Sequence, residues 1–274
     1  MRVAWVRGRI LQTFLINLDR APERLARMET LFGSLDLTFV RVPAVDGSLL
    51  GEEEIRRLQP TPGDFGWLSK GEIGCFLSHR KCWQSIAEGK SNFGVVFEDD
   101  IVISARAADL LKNFSWIPTD ADVVKLDAAP FATYIGRRKR ELPDGAGLYR
   151  LCFNHYCTSG YIISKAAAVQ LLNKSEILTA PVDEFMFNVV SSAFHALRIY
   201  QMVPALCVQE RYVLPASVTN GPETFIGNRT FKGRLKRRKK VLRELYSGLN
   251  RIGTWVGIRQ RLIVKYDLPY CEGV

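Results

Sequence analysis

An apolar run at residues 93–97 (FGVVF) constrains the fold of this chain more than any other feature. Apolar residues that do not alternate with polar ones are typical of a strand buried on both faces, in the middle of a sheet covered by helices. Three acids, Glu98, Asp99 and Asp100, follow the run directly. The segment therefore predicts a central strand of an α/β sheet that ends in a group of carboxylates.

The beginning of the chain predicts a strand, a helix and a second strand. Residues 13–18 (TFLINL) and 37–42 are apolar and β-prone. Between them, Asp19, Pro22 and Glu23 have the pattern of a helix start, with Asp19 as its cap. A unit of about thirty residues with this order is typical of parallel strands joined by a helix. We therefore predict an α/β fold with a mostly parallel central sheet.

Later segments continue the alternation of strands and helices. Ser69 and Glu72 have the spacing of a capping box and predict a helix that ends near Gly89. Asp183 is the candidate N-cap of a helix that extends to residue 190. Further strands are predicted at residues 123–126, 161–163 and 197–203, and a further helix at 164–172.

Composition excludes several classes of protein. The chain has 274 residues, of which 47% are hydrophobic and 24% charged, as in globular proteins. No apolar run approaches the roughly 18 residues that suggest a membrane span, and the first residues lack a secretory cleavage site. The six cysteines contain no CxxC pair, so we expect reduced thiols in a cytoplasmic protein.

Positive charge is concentrated near the C-terminus. The net charge is +10, and residues 232–243 carry eight Lys or Arg and no acid. Such a charge indicates an anionic partner, which could be nucleic acid, phospholipid or a phosphorylated glycan. Helical spacing can place the apolar residues beside the basic run along one side of a helix: Val241, Leu242, Leu245, Tyr246 and Leu249. We predict a main domain at residues 1–231 and a basic amphipathic helical segment at 232–274.

The acids after residue 97 form a candidate cation site. Alternate side chains of an extended chain point to one face, so Glu98 and Asp100 are expected to converge while Asp99 points elsewhere. Carboxylate oxygens suit Mg²⁺ or Mn²⁺, and ligand sites in open α/β sheets lie at the carboxyl ends of strands. The alternative is a solvated acidic turn, although crowding three like charges is costly without a cation. Asp127, at the end of another predicted strand, either joins the site or is a turn residue.

Asp183 and Glu184 form a second acidic pair. Helix capping is one role for such residues, and the other is a general base that takes the proton of an attacking hydroxyl group. In the polar and aromatic stretch around residue 155, His155, Thr158 and Ser159 offer hydrogen bonds to a polar ligand such as a sugar, and the alternative for His155 is a structural role. His79 and His195 stand in apolar surroundings, and we interpret them as structural.

Six segments, read together, resemble glycosyltransferase family 25, which includes bacterial lipooligosaccharide galactosyltransferases and relatives of the collagen galactosyltransferases. In chain order they are FLINLDRAPER, VPAVDG, GEIGCFLSHRKCW, VVFEDD, CTSGYIIS and PVDEF. The resemblance covers about residues 12–220. It implies a GT-A-type domain, an inverting reaction and a nucleotide-sugar donor, often UDP-galactose, with Mn²⁺ (or Mg²⁺) as cofactor.

The family pattern assigns roles to individual residues. Its metal motif matches Glu98, Asp99 and Asp100, of which Glu98 and Asp100 are the predicted ligands. For Asp183 and Glu184, the resemblance favours a catalytic role over helix capping alone. Its first two motifs, placed near the nucleotide, match Asn17, Asp19, Arg20, Arg24, Ala44, Asp46 and Gly47. Many GT-A enzymes add a late histidine ligand, but this chain has no histidine after His195, which leaves the third protein ligand open.

The resemblance also bears on the basic segment. Bacterial members of the family act on glycans carried by membrane lipid, so we expect a lipooligosaccharide or related acceptor and docking of residues 232–274 on an anionic membrane. The protein would then be peripheral on the inner face of the plasma membrane. One alternative is a nucleic-acid-binding protein, but the aromatic residues are not interleaved with the basic run, and no specific nucleic acid is expected. A nucleotidyltransferase or metal phosphohydrolase is the other alternative, since acids at strand ends serve any diphosphate chemistry.

Overall fold

The computed structural model describes residues 11–213 and 235–267, which form a mixed α/β fold. The strands are β1 (Gln12–Asn17), β2 (Val40–Pro43), β3 (Phe93–Glu98), β4 (Ile101–Ile103), β5 (Val123–Lys125), β6 (Asp127–Ala128), β7 (Ala132–Gly136), β8 (Arg140–Glu141), β9 (Gly147–Arg150), β10 (Gly160–Ser164), β11 (Ile199–Val203), β12 (Cys207–Gln209) and β13 (Arg259–Ile263). The helices are α1 (Pro22–Ser34), α2 (Glu52–Leu58), α3 (Lys70–Glu88), α4 (Ala107–Leu110), α5 (Lys165–Lys174), α6 (Val182–Phe187), α7 (Ser192–Ala196) and α8 (Arg237–Trp255). Two 3₁₀ turns lie at Gly47–Leu49 and Glu210–Tyr212.

The central sheet has eight strands in the order β2-β1-β3-β10-β5-β11-β9-β8. β1 is parallel to β2 and β3, and β5 is parallel to β11, whereas β10 and β9 are antiparallel to both of their neighbours. Six of the eight strands therefore run in one direction. This confirms the predicted α/β fold with a mostly parallel sheet and is consistent with a GT-A-type domain.

The predicted strand, helix and strand at the start of the chain are present as β1, α1 and β2. Proline at position 22 begins α1, and the N-cap is Ala21, whose side chain makes no capping hydrogen bond. The sequence suggested Asp19 as the cap, and this prediction was wrong. Asp19 lies on the surface, 76% exposed, in an ion pair with Arg41 of β2. Met28 and Phe32 bury the inner face of α1 in the core.

Helix α3 begins with the predicted capping box. Ser69 Oγ accepts a hydrogen bond from the backbone N–H of Glu72, and a Glu72 carboxylate oxygen accepts one from the backbone N–H of Ser69. The N-terminal part of α3 packs tightly against the turn at Gly47. A Cβ on Gly74 would lie 2.6 Å from the backbone oxygen of Val45, so only glycine allows this approach.

The strand β3 is an interior strand of the sheet, as the apolar run at residues 93–97 predicts. Its neighbours are β1 and β10. Val95 and Phe97 point into a core cluster with α1, and Val96 points into the cluster on the other face, with α3. Because both faces are covered, the backbone of β3 is fixed as far as Glu98. The acidic residues therefore start from a rigid element.

Helix α8 packs against the main hydrophobic core of the fold. Leu242 and Tyr246 pack against the main core, and Asn250 is buried with its Nδ2 donating to the backbone oxygen of Cys152 at 3.3 Å. After α8, strand β13 pairs antiparallel with β7. The predicted domain boundary between residues 231 and 232 lies outside the described residues.

Within the described residues, none of the helices combines the length and the apolar character needed to cross a membrane. Five cysteines there, at positions 75, 82, 152, 157 and 207, are free thiols, as predicted.

Candidate active site

A cavity of about 480 Å³ opens at the carboxyl ends of β1 and β3. Segments that are distant in the chain meet there: the turn after β1, the turn at Gly47–Leu49, the first half of α3, the acids after β3 and the end of β12. Six of the seven residues that the first two motifs predict at the nucleotide line this cavity: Asn17, Arg20, Arg24, Ala44, Asp46 and Gly47. Asp19 is not among the lining residues.

The three acids divide as the alternation of an extended chain predicts. Gln209 Nε2 donates to both Glu98 Oε2 (3.3 Å) and Asp100 Oδ2 (3.2 Å), so these two carboxylates converge on one amide group. Asp99 turns to the other side, where Asn17 Nδ2 donates to it at 2.7 Å and Arg24 forms an ion pair at 3.2 Å. Asn17 of β1 and Arg24 of α1 therefore tie the first strand and helix to the acidic motif.

A chain of buried hydrogen bonds ends at Glu98. Trp83 Nε1 donates to the Tyr161 hydroxyl (2.8 Å), which contacts His79 Nδ1 (2.9 Å), and His79 Nε2 contacts Glu98 Oε1 (3.1 Å). The Trp83 indole can only donate, so the Tyr161 oxygen accepts from it and the Tyr161 hydroxyl proton can go to His79 Nδ1. His79 then carries its own proton on Nε2, from which it donates to the Glu98 carboxylate. Sequence reasoning treated His79 as structural; it is fully buried, as expected, but it orients Glu98.

The pKa values of Glu98 and Asp100 are shifted in opposite directions. Burial alone would raise the pKa of Glu98, but the hydrogen bonds from His79 and from the Thr158 hydroxyl (2.8 Å) outweigh burial and lower it. Asp100 accepts from the Gln209 amide, and burial together with the charges of Glu98 and Asp99 raises its pKa to about 7. The group therefore carries an excess of negative charge that a cation would offset.

The set of donors at the acids suits a hard cation. Glu98 and Asp100 offer carboxylate oxygens, and the side-chain amide of Gln209, once rotated, would offer a third oxygen. Gln209 is the last residue of β12. It lies in the late part of the chain, where many GT-A enzymes have a histidine ligand and this sequence has none. Sequence reasoning did not identify Gln209.

Positively charged side chains line the same cavity. Arg20 pairs with Asp46 at 3.0 Å and is 45% exposed, and Arg211 is exposed beside Gln209, to which its guanidinium donates at 2.7 Å. Asp46 in turn caps the 3₁₀ turn at Gly47 by accepting from Ser48 N–H, and the hydrogen bond from the Ser48 hydroxyl (2.6 Å) lowers the Asp46 pKa. The cavity thus combines a carboxylate group with guanidinium groups, which is a suitable arrangement for a cation and a diphosphate.

The residues predicted to contact a sugar are buried. The Thr158 hydroxyl donates to Glu98, and Ser159 donates to Asp127 from both its backbone N–H (3.1 Å) and its hydroxyl (2.9 Å). His155 is 1% exposed, and burial with the nearby charge of Lys125 holds its pKa well below the ordinary value. Thr158 and Ser159 thus both contact the cavity residue Glu98, Ser159 through its backbone oxygen, which accepts from the Glu98 backbone N–H at 3.1 Å.

Asp127 belongs to a buried ion pair rather than to the cavity. Lys125 Nζ lies 2.5 Å from Asp127 Oδ1, and both side chains are fully buried. The same ammonium donates to the backbone oxygen of Cys157 at 2.6 Å, where the backbone has a φ of 72°. The pair therefore holds the segment between β9 and β10 that delivers Thr158 to Glu98.

Asp183 and Glu184 lie in the first turn of α6. Pro181 is the N-cap and the helix ends at Phe187, so the predicted cap at Asp183 and the end at residue 190 were wrong. Glu184 is buried and accepts from Asn188 Nδ2 at 2.5 Å, whereas Asp183 is half-buried. Neither residue lines the cavity.

Comparison with known proteins places this site in a family. The family model described as glycosyltransferase family 25 (LPS biosynthesis protein) matches residues 10–186. The chain belongs to this family. The match runs from β1 to α6 and includes both motifs of the cavity, the acidic motif and the acidic pair at Asp183. Gln209, Arg211 and α8 lie beyond it.

Three relatives illustrate the range of the family. The lacto-N-neotetraose biosynthesis glycosyltransferase LgtE of Neisseria gonorrhoeae is 29% identical over 258 residues, which cover 89% of this chain and 90% of LgtE. LgtB of the same organism is 30% identical and covers 73% of this chain and 75% of LgtB. The procollagen galactosyltransferase 1-A of Xenopus laevis is 31% identical, but the match covers 64% of this chain and only 30% of that protein.

Membership in family 25 identifies the chain as a glycosyltransferase. It favours sugar transfer over the two alternatives drawn from the sequence, nucleic-acid binding and nucleotidyl or phosphoryl chemistry.

Proposed function

We propose that this glycosyltransferase transfers galactose, with inversion, from UDP-galactose to a hydroxyl group of a lipooligosaccharide or related glycan. The observation that carries the proposal is the convergence of Glu98 and Asp100 on Gln209 at the end of β3, inside a cavity lined by guanidinium groups. The printed functions of LgtE and LgtB, in lacto-N-neotetraose biosynthesis, support a glycan acceptor, and the galactosyltransferase name of the Xenopus relative supports the sugar.

Glu98 and Asp100 would hold Mn²⁺ or Mg²⁺, with the Gln209 amide oxygen as the third protein ligand. When bound, the cation would offset the negative charge that develops on the leaving diphosphate. The hydrogen bonds from His79 and Thr158 keep Glu98 ionised and fixed in one orientation. Asp99 anchors the motif to α1 and has no direct role in this proposal.

The donor would lie along the first two motifs. Arg20 and Arg211 are exposed in the cavity and can form charge-assisted hydrogen bonds with phosphate oxygens. Gly47 brings the turn after β2 against α3, which leaves room for a nucleotide beside Ala44 and Asp46. Asp19 is exposed next to this region, and its proposed contact with the nucleotide stays a prediction.

Asp183 is our candidate for the general base. The acceptor oxygen attacks the anomeric carbon, the bond to the diphosphate breaks on the opposite side, and the acceptor proton passes to the base. Asp183 is half-buried, whereas Glu184 is buried and occupied by Asn188. Asp127 is excluded as a base by its fully buried pairing with Lys125.

The acceptor would be presented at a membrane, where α8 docks. Large apolar side chains are exposed along this helix: Val241, Leu245, Leu249, Ile252, Trp255 and Val256. Trp255 is 88% exposed. Exposed cations accompany them at Arg237, Arg238, Lys240 and Arg251, and each contributes about 1 kcal/mol near an anionic surface. This supports a peripheral position on the cytoplasmic face of the plasma membrane.

A screen of UDP-hexoses with Mn²⁺ tests the proposal. We expect UDP release with UDP-galactose in the presence of a lipooligosaccharide acceptor, and a slower release without acceptor. Release from another UDP-hexose alone would correct the sugar. Salt-sensitive RNA binding without any turnover would contradict the proposed activity.

A further inference from the structure

Three different ligand types meet at the inner wall of the cavity. Cys75 and His79 lie one turn apart on α3, four residues apart and so on the same face, and Glu98 lies opposite at the end of β3. One ligand atom from each residue lies within 4.8 Å of the other two. We propose that Cys75, His79 and Glu98 form a site for a thiophilic divalent cation such as Zn²⁺.

The distances suit a single ion. His79 Nε2 and Glu98 Oε1 are 3.1 Å apart. Two ligand atoms at about 2.0–2.1 Å from a tetrahedral ion are themselves roughly 3.3 Å apart. Cys75 Sγ lies within 4.8 Å of a ligand atom of each of the other two residues, and its bond to zinc would be the longer one, about 2.3 Å. All three residues line the cavity, so the fourth position faces its interior.

The chemistry of this set differs from that of the proposed Mn²⁺ ligands. A thiolate and an imidazole favour zinc, whereas the carboxylates of Glu98 and Asp100 with the amide of Gln209 favour harder ions. The two sets share only Glu98. The two proposed cation positions therefore overlap. Because both need the Glu98 carboxylate as a ligand, the two cations would compete for it.

The surroundings of Cys75 and His79 are suited to a bound dication. Glu98 and Asp100 line the same cavity as Cys75 and supply negative charge beside it. On binding, the Cys75 thiol releases its proton to solvent and the thiolate binds the ion. The His79 ring changes tautomer, so that Nε2 binds the ion and Nδ1–H donates to the Tyr161 hydroxyl. That hydroxyl already fixes the ring, as the supporting partners of metal-binding histidines do.

A functional consequence follows if the proposed Mn²⁺-dependent transfer is correct. Zn²⁺ at this site would withdraw Glu98 from the harder ion and inhibit turnover. Binding itself does not depend on that function, so the two can be tested separately.

Cobalt(II) provides a spectroscopic test of the site, because a cobalt–thiolate bond gives a charge-transfer absorption band. We expect the full-length protein to show this band at one equivalent of Co²⁺, and Zn²⁺ to abolish it. Cys75→Ser and Cys75→Ala should lack the band, while Cys152→Ser and Cys271→Ser should retain it. A band that persists in both Cys75 variants, or no band in the wild-type protein, would overturn the proposal.

Inhibition supplies the second measurement. In Mn²⁺-supported assays, the inhibition constant for Zn²⁺ should rise roughly tenfold or more in Cys75→Ser, relative to the rate of the same variant without zinc. An unchanged constant would contradict the site. A cobalt band in a protein that transfers no sugar would leave the cation site in place and refute the proposed function instead.

Discussion

Gln209 Nε2 lies 3.2 Å from Asp100 Oδ2, although the two residues are 109 positions apart in the chain. The antiparallel pairing of β12 with β4 brings them together, because Gln209 is opposite Ile101, the residue that follows Asp100. The same nitrogen reaches Glu98 at 3.3 Å. This side chain is therefore in position to complete the oxygen set that two carboxylates begin.

Replacement of Gln209 should weaken cation binding. We expect Gln209→Ala to lower the Mn²⁺ affinity by about 10–100-fold, because an oxygen donor and the partner of both acids are lost. Gln209→Glu should retain the affinity, since it supplies a carboxylate oxygen at the same position. Free Mn²⁺ measured by electron paramagnetic resonance gives the affinities, and Gln84→Ala, an exposed residue of α3, is the control. Equal affinities for Gln209→Ala and the wild-type protein would remove Gln209 from the site.

The two acids of α6 should differ in their effect on turnover. Asp183→Asn preserves shape but removes the base, so kcat should fall by about 10²–10⁴-fold while the affinity for UDP stays unchanged. Glu184→Gln should have the smaller effect, since its carboxylate is occupied by Asn188. Single-turnover kinetics and UDP titrations separate the two quantities. A loss confined to Glu184→Gln would transfer the role to that residue, and near-native rates in both variants would place the base elsewhere.

The buried pair of Lys125 and Asp127 should contribute to stability rather than to chemistry. Lys125→Met leaves a buried carboxylate without its partner, which costs about 3–5 kcal/mol of unfolding free energy. The double variant Lys125→Met/Asp127→Leu should recover part of that loss, since no unpaired charge remains. Urea denaturation measures both. Lys112→Met, which breaks the exposed pair with Asp36, should leave the midpoint nearly unchanged. Comparable losses in the Lys125 and Lys112 variants would refute this account.

The exposed face of α8 should govern membrane binding. Leu245→Ser/Trp255→Ser should weaken binding to vesicles that contain phosphatidylglycerol by roughly tenfold or more, because a large apolar side chain contributes about 1.5–3 kcal/mol when buried. The matched control is Val169→Ser/Ile177→Ser, which removes two exposed apolar residues elsewhere. Co-sedimentation measures binding, and transfer to a soluble acceptor should be unaffected by the α8 change. Equal vesicle binding by both double variants would contradict docking through this face.

Local patterns in the sequence predicted much of the fold. The capping box at Ser69, the strand at residues 93–97 and the opposite orientations of Glu98 and Asp99 each depend on neighbours in the chain, so spacing was sufficient. Caps were less predictable. Asp19 and Asp183 have capping side chains, but each helix begins with a proline or directly after one, and these two side chains make other contacts.

The remaining parts of the site depend on tertiary contacts that spacing does not encode. Gln209 reaches the acids only through the pairing of β12, and His79 lies in the same apolar stripe as Phe76 and Trp83, which concealed its contact with Glu98. On α8, the apolar residues were predicted to share one side. Leu242 and Tyr246 instead pack on the core while Leu245 and Leu249 are exposed, because the helix has two apolar faces.

The most direct test of the central claim is UDP release from UDP-galactose by Asp100→Ala, with and without Mn²⁺. The strands around Asp100 supply the packing, so circular dichroism and the thermal midpoint should match the wild-type protein. We predict that the wild-type protein releases UDP only with the divalent cation and that Asp100→Ala loses this activity. Full Mn²⁺-dependent activity in Asp100→Ala would contradict the assignment of the acids after β3 as the cation site of this glycosyltransferase.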